Sequence, residues 1–388
     1  MALLTDLAVI SSGKRPPLIS KDRTDALAIP VVGGGGISGF TNVPLFEDGA
    51  IVTGRVGTLG QLHVVAGPCW PSDNALVLRA RDGIDPDFLR FALSNKIGEA
   101  LGMNRGAANP LITQRDLGQL EMPDLSPGEQ VAVGKALRTI NDKIELNQQM
   151  NETLDAMAQA IFRDWFVDFG PVRRKAAGET DPVAILGGLI ADHVRAAELG
   201  TLFPTALDGD GRPQGWPMCR VEDLLELAYG RALPKQSRRI GDIPVYGSGG
   251  IGGWHDEYLE KGPSIVIGRK GTVGSIFWEP GPFFAIDTTF YVKARRRLPL
   301  VYLWSLLKLL GLEGMNTDAA VPGLNRSNVY RLEVPAVPRP LIDAFGAVAG
   351  LLRQRIDLND RERSVLSETR NYLLPRLMSG EVKIRSGS

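Results

Sequence analysis

Cysteine is nearly absent from this chain: two residues in 388, Cys69 and Cys219, one in each half. Their positions do not correspond, and Cys69 lies beside Trp70 in an apolar stretch. Both read as buried thiols rather than as a disulfide or a metal pair, which fits a reducing compartment. The three histidines, His63, His193 and His255, lie apart without metal-ligand spacing, so no metal site is expected. No apolar run reaches about 18 residues, and no N-terminal stretch has the charged-then-apolar order of a signal peptide. The expectation is a cytoplasmic protein with no membrane partner. Net charge is absent too, with 44 basic and 44 acidic residues. A neutral total argues against a nucleic-acid ligand unless charge is unevenly spread. It is: residues 211–337 carry 16 basic and 12 acidic side chains, residues 1–125 carry 11 and 13. A neutral total thus permits a basic face, with partners supplying part of any phosphate attraction.

Catalytic sets are likewise lacking. Gly33–Gly39 has no Gly-Lys-Ser/Thr ending and no strand–helix unit with a downstream acid, so it is not a nucleotide cradle. Asn109-Pro110-Leu111 is not the Asn-Pro-Pro-Tyr/Phe of amino-methyltransferases. Glu381-Val382-Lys383 has a nuclease-like ending but no acidic partner on a preceding strand. No catalytic residue and no cofactor bound by this chain is expected.

What the chain does contain is a long internal repeat. Ile29-Pro30-Val31 returns 214 positions later as Ile243-Pro244-Val245, and Gly33-Gly34-Gly35-Gly36-Ile37 as Gly247-Ser248-Gly249-Gly250-Ile251. Val52-Thr53-Gly54-Arg55-Val56-Gly57-Thr58 returns as Val266-Ile267-Gly268-Arg269-Lys270-Gly271-Thr272. Leu120-Glu121-Met122-Pro123 answers Leu332-Glu333-Val334-Pro335 at a spacing of 212. A repeat of about 200 residues is domain-sized, far too long for a solenoid unit. The pattern predicts two related modules, a shape suited to a ligand that offers two similar sites.

Each module begins strand-rich. Ala50-Ile51-Val52-Thr53, Leu62-His63-Val64-Val65 and Ala75-Leu76-Val77-Leu78 are short β-type runs punctuated by Gly and Pro, and a helix is expected over 87–101. Ser126-Pro127-Gly128-Glu129 is a capping box with proline at the first helical position. After it, Leu137, Ile140, Ile144, Leu154, Ala158 and Ile161 form one seam at 3-4 spacing, uninterrupted by proline until Pro171. That predicts a helix of about 40 residues, roughly 60 Å long. Leu352, Ile356, Leu366, Leu373 and Leu377 form the equivalent seam. A narrow apolar stripe must be buried on something. The duplicate helix is the simplest partner, in an antiparallel coiled coil with Asn147 and Asn359 as register-fixing polar positions. The alternative is that each helix packs on its own module. The expected organisation is therefore α+β: module 1 over 1–125, long helix 1 over 126–169, a connector over 170–210 with a helix over 183–199, module 2 over 211–337, and long helix 2 with the tail over 338–388. The tail after Ile384 reads as frayed.

The residues with recognition chemistry are duplicated as well. Gly54-Arg55-Val56-Gly57-Thr58 and Gly268-Arg269-Lys270-Gly271-Thr272 each place a cation between glycines after a β run, with a hydroxyl behind it. Arg suits bidentate contact with a phosphate or a guanine edge; an exposed turn with a solvated Arg is the plainer reading. Asp73-Asn74 and Asp287-Thr288 either reach base edges or cap a turn. Asn104, Arg105 and Arg115 in module 1, and Asn316 and Arg326 in module 2, are base-reading residue types that follow each module's helix, with an N-cap or loop role as the alternative. The candidate DNA contacts are thus Arg55, Thr58, Asp73, Asn74, Asn104, Arg105, Arg115, Arg269, Lys270, Thr272, Asp287, Thr288, Asn316 and Arg326. Trp165, Phe166 and Phe169 at the exit of long helix 1 suggest a docking patch for a partner, or a plug onto the neighbouring module.

The Gly-Arg-x-Gly-Thr run in each half, the stretch Ile140-Asn141-Asp142-Lys143-Ile144-Glu145-Leu146-Asn147, its exit through Phe162-Arg163-Asp164-Trp165-Phe166-Val167-Asp168-Phe169, and the ending Leu374-Pro375-Arg376-Leu377-Met378-Ser379-Gly380-Glu381-Val382 together resemble the specificity subunit of Type I restriction–modification enzymes. The resemblance runs nearly end to end. It implies that each module is a target-recognition domain reading one half of a split, asymmetric site on double-stranded DNA, and that the paired helices set the gap. It also implies that the subunit has no catalysis of its own. Two methyltransferase subunits, using S-adenosylmethionine for adenine methylation, would dock on the helical spacer, and two translocase–nuclease restriction subunits would join for restriction. The alternative is a protein–protein scaffold that reads no nucleic acid, motivated by the neutral charge and the aromatic exit at Trp165-Phe166.

Overall fold

The structure, a computed structural model, describes residues 2–102, 111–315 and 323–384. It divides into two compact units, one of Met1–Asn147 with Arg361–Ser388 and one of Gln148–Asp360. The division falls inside both long helices, Pro127–Phe166 and Arg339–Met378, each of 40 residues.

In the first unit a four-stranded antiparallel sheet runs in the order Ala8–Ser12, Ala75–Ala80, Ala50–Gly54, Leu62–Val65. A three-stranded sheet places Ile29–Gly33 between its hairpin partner Gly36–Thr41 and the short parallel strand Trp70–Pro71. A third pairing joins Ala2–Leu3 to Glu121–Met122. Alternation along a strand sends successive side chains to opposite faces, and this sorts the sequence into two cores. Ile51, Leu76 and Leu78 face the Pro86–Gly102 helix, where Phe88, Leu89, Ala92 and Leu93 are fully buried. Ala50, Val52, Ala75 and Val77 face the other way, onto Val32 and Cys69. Both faces of Ala50–Gly54 are therefore covered, and all five of its residues are buried. Each large aliphatic or aromatic side chain so buried contributes about 1.5–3 kcal/mol.

The second unit repeats this plan strand for strand. Its larger sheet runs Leu225–Tyr229, Thr289–Ala294, Ser264–Gly268, Ile276–Glu279, and its smaller one Gly250–His255, Ile243–Gly247, Phe284–Ala285. Met218–Arg220 pairs with Glu333–Pro335 as Ala2–Leu3 does with Glu121–Met122. Ile265, Ile267, Phe290 and Val292 face one core; Val266 and Tyr291 face the other with Tyr246 and Ala285.

The first long helix starts where its capping box dictates. The Ser126 backbone N–H and hydroxyl both donate to Glu129 Oε2, at 3.0 and 2.8 Å. Within the first unit Asn141 meets Arg370 (2.8 Å), and Asn147 and Lys143 meet Glu362 (2.8 and 3.4 Å). Within the second, the Asn151 amide donates to Asp360 and accepts from Asn359, both at 2.8 Å. In the first unit partners fall along one helix as they rise along the other, and in the second Asn151 meets Asp360 while Phe162 meets Phe345, so the paired segments of each unit run antiparallel. Asn147 and Asn359, 0% and 1% exposed, lie inside the seam as expected, but their partners are Glu362 and Asn151. The seam is more polar than its aliphatic spacing implied.

The aromatic exit is corrected by the structure. Trp165, Phe166 and Phe169 are 1%, 5% and 6% exposed, in the core of the second unit. Trp165 stacks edge-on to Phe203 and donates its indole N–H to the Leu186 carbonyl, and Phe166 packs on Tyr302 and Phe345. They are a plug, not a docking surface, because the connector folds back over them. The Lys175 ammonium donates into the Gly200 and Phe203 carbonyls there, and burial pushes its pKa down. The connector is also more broken than its pattern suggests. Instead of one helix over 183–199 there are two, Pro182–Ile185 and His193–Thr201, parted by Gly187 and Gly188 in the left-handed region (φ 71 and 76). At the matching end of the second long helix, Leu377 and Met378 are buried in the core of the first unit.

Cys69 is buried and Cys219 half-buried, both free thiols whose pKa burial raises. No described helix is long and apolar enough to cross a membrane.

Candidate nucleic-acid interface

The repeated Gly-Arg-x-Gly-Thr loops leave the same central strand at the same point in both sheets. Glycine is required there by packing. A Cβ on Gly54 would lie 2.0 Å from the Thr58 carbonyl oxygen, and one on Gly268 would lie 2.1 Å from that of Thr272. Gly34, in the glycine-rich hairpin, approaches the same loop, since its Cβ would meet Thr58 O at 2.6 Å. Gly57 and Gly271 take φ 75 and 86, open to glycine at no steric cost. The glycine clusters thus let two turns nest against each other.

That nesting brings three candidate segments together in each unit. In the first, Arg55 N–H donates to the Asn74 carbonyl (2.9 Å), and Ile112 N–H donates to the Arg55 carbonyl (3.0 Å). Asp73-Asn74, Arg55 and the segment leading to Arg115 therefore share one end of the sheet. Thr113 caps the short helix Gln114–Gly118, its hydroxyl accepting from Asp116 N–H. Arg55, Thr58, Asp73, Asn74 and Arg115 are all exposed. In the second unit, Arg269 and Lys270 N–H groups both donate to the Thr288 carbonyl (2.8 and 3.1 Å), and Leu324 N–H donates to the Arg269 carbonyl (2.8 Å). Asn325 caps the helix Arg326–Tyr330 by accepting from Ser327 N–H at 2.9 Å. Lys270, Thr272 and Asp287 are exposed, with Arg269, Thr288 and Arg326 half-buried beside them. Asn104, Arg105 and Asn316 lie outside the described residues.

The side chains on this shared frame differ. The Arg269 guanidinium donates to the Asp287 carbonyl (3.2 Å) and sits 5.0 Å from the centroid of the Tyr229 ring and 5.7 Å from that of Phe290. Arg326 takes a second position on Tyr229, 4.9 Å from its centroid, and donates to the Leu227 carbonyl at 3.4 Å. Tyr229, half-exposed at the end of its strand, thus carries two arginines. At the corresponding positions of the first unit, Ser12 replaces Tyr229, Leu76 replaces Phe290 and Gln114 replaces Arg326. The correspondence follows from the strand register, where Ser12 pairs with Leu76 as Tyr229 pairs with Phe290. Gln114 donates to the Ser12 hydroxyl at 2.9 Å. Among the described residues the Arg55 side chain has no hydrogen-bond, ion-pair or ring partner.

Tyr229 and Ser12 escape the sequence comparison because they are 217 positions apart, out of step with the 214 of the strands that follow. The signal for Tyr229 is an aromatic closing the alternating run Leu225-Glu226-Leu227-Ala228-Tyr229. No group of three or more potential metal ligands occurs among the described residues.

Two segments of the chain, residues 2–156 and 213–339, match the family model described as the Type I restriction modification DNA specificity domain. The chain is 25% identical to the Type I restriction enzyme HindI specificity subunit of Haemophilus influenzae, covering 76% of this chain and 77% of the relative. It is 22% identical to the Type I restriction enzyme MjaIX specificity subunit of Methanocaldococcus jannaschii, over 88% and 79%. The crystal structure of a Type I restriction–modification system S subunit from M. genitalium superposes with a TM-score of 0.65 at 20% identity, covering 97% of this chain and 95% of that one, a likeness of fold.

Proposed function

The chain belongs to the Type I restriction modification DNA specificity family, and on that premise we propose how its two units divide the work. It is a non-catalytic DNA sequence-specificity subunit that binds DNA and assembles with other restriction–modification subunits. In our reading each unit reads one half of a bipartite, asymmetric target on duplex DNA, through the sheet end that carries Arg55 or Arg269. The observation that carries this is one backbone frame, present twice, bearing different polar side chains: repeated geometry suits two contacts with one kind of ligand, and changed chemistry suits two different sequences. The two long helices set the gap between half-sites. Two methyltransferase subunits, each holding its own S-adenosylmethionine, dock on the helices and deliver adenine methylation. Two restriction subunits join where the system cleaves, and the assembly works in the cytoplasm. The burial of Trp165 and Phe166 removes one of the two features that favoured a pure scaffold, the neutral charge being the other.

The test lengthens both helices together. Seven residues, two turns, add about 10.5 Å to each, which is about three base pairs at 3.4 Å each. The complex carrying the lengthened subunit is expected to methylate a target whose half-sites stand about three base pairs further apart. Methylation confined to the original gap would overturn the helical ruler.

A further inference from the structure

Two arginines sharing one half-exposed aromatic ring is a costly arrangement unless their placement matters. Like charges repel, and Tyr229 sits near the surface, where a cation on a ring gains little. The same fold positions in the first unit manage with serine and glutamine. What the ring does supply is fixation. Arg269 is held from below by Tyr229 and Phe290, and from the side by the Asp287 carbonyl. Its backbone is tied on both sides by Thr288 and Leu324. One of five guanidinium N–H donors is thereby committed and the remaining edge is left to bind. Arg326 is held between the rings of Tyr229 and Tyr330, at 4.9 and 5.5 Å. The Tyr330 hydroxyl is itself fixed by the Leu227 N–H at 2.9 Å.

We propose that Tyr229 is a positioning residue for sequence readout, the shared platform that pre-sets Arg269 and Arg326 toward hydrogen-bond acceptors on a base edge of one half-site. The proposal rests on the reading of this chain as a two-part DNA reader and adds which residue gives the second unit its discrimination. A planar fork locked in one orientation can distinguish the paired acceptors of guanine from the donor–acceptor edge of adenine; a freely rotating fork meets phosphate and base alike. The first unit has Ser12, Leu76 and Gln114 at the positions that form the platform.

The experiment uses the full-length subunit assembled with its methyltransferase partners, and duplexes in which each base pair of the wild-type target is changed singly. Methylation rates at limiting complex give the discrimination at every position. Tyr229→Leu, which keeps an apolar contact but no ring face, is expected to lose about tenfold in discrimination at one or two positions of a single half-site. The other half-site should stay within twofold of wild type. Tyr229→Phe, which keeps the ring and drops the hydroxyl, is expected to restore discrimination, because the ring alone makes the platform. Relaxation of both half-sites by Tyr229→Leu, uniform weakening across all sequences, or unchanged discrimination would each overturn the proposal. Hydrogen exchange over 225–229 and 289–294 checks that the sheet is intact. Should the wild-type complex methylate all duplexes alike, the DNA-reading assignment itself fails, a result distinct from a wild type that discriminates and a Tyr229→Leu variant that does so equally well.

Discussion

Among the described residues the Arg55 side chain of the first unit has no partner, while the second unit braces Arg269. Both hang Arg55 or Arg269 from the same strand end, tie its backbone to the carbonyl at Asn74 or Thr288, and receive the next segment through its own carbonyl. Yet Arg269 and Arg326 rest on Tyr229, while Gln114 bonds to Ser12. The backbone hydrogen bonds and the glycines are what the repeat preserves, because a sheet end needs them whatever it contacts. The side chains that the frame presents are free to differ, and that is where two different sequences could be told apart.

The largest effect expected from breaking this parallel lies at the helix ends, where the units differ most in how they are sealed. Trp165 fills the core of the second unit among Phe203, Phe166 and Leu186; its repeat counterpart Leu377 fills the first. Replacing a buried aromatic or leucine by alanine costs about 3–5 or 2–5 kcal/mol respectively. Trp165→Ala should therefore lower the unfolding midpoint more than Leu377→Ala. Hydrogen exchange should localise the first loss to residues 148–360 and the second to residues 1–147 and 361–384. Equal protection loss in both units for either variant would show that the plugs are not specific to the cores that hold them.

The glycine frame comes next, and here the two units should behave alike. Gly54→Ala and Gly268→Ala each drive a methyl group to about 2 Å from a backbone carbonyl oxygen in their own loop. Overpacking of this kind costs about 1–3 kcal/mol. Both variants should show a similar drop in denaturation midpoint, together with faster amide exchange confined to residues 54–60 or 268–275. If one is tolerated and the other not, the common frame is not common in its energetics.

Much of this was legible in the residues. The 214-residue spacing marked the strands and the Gly-Arg loops, and the capping box at Ser126 and the 3-4 seam marked the first long helix to within a few residues. The seam's partners were less legible: aliphatic spacing announces an apolar stripe, while Asn141, Glu362 and Arg370 show their role only once paired across it. The fate of Trp165 was not legible either, because nothing in a local pattern says that residues 182–203 return to cover it. The Tyr229 platform was hidden by a shift of three residues between one strand and the next, which breaks the repeat register while leaving the sheet pairing intact.

The smallest expected effect sharpens the comparison through pH. In the second unit Tyr246 and Glu279 are buried against each other, the phenol donating to Glu279 Oε2 at 2.9 Å, while Gly281 N–H donates to Oε1 at 2.7 Å. The first unit has Val32 and Val65 at those positions. Burial raises the Glu279 pKa above the ordinary carboxylate value, outweighing the two hydrogen bonds that lower it, and the nearby Asp357 adds to the rise. A carboxyl whose folded pKa is raised favours the folded state fully only below its unfolded pKa, about 4.3. That contribution is lost as pH climbs through the folded value, because the native state must then hold a desolvated charge. Glu279→Gln removes the titration. The stability of this variant relative to wild type should therefore improve as pH rises from 4 to 8, and the change should appear in exchange protection of residues 264–292. The paired control Val65→Gln should show no such trend, since no acid is lost there. A Glu279→Gln difference that stays flat across this range, or that falls as pH rises, would mean that the hydrogen bonds from Tyr246 and Gly281 compensate the carboxylate's burial in full.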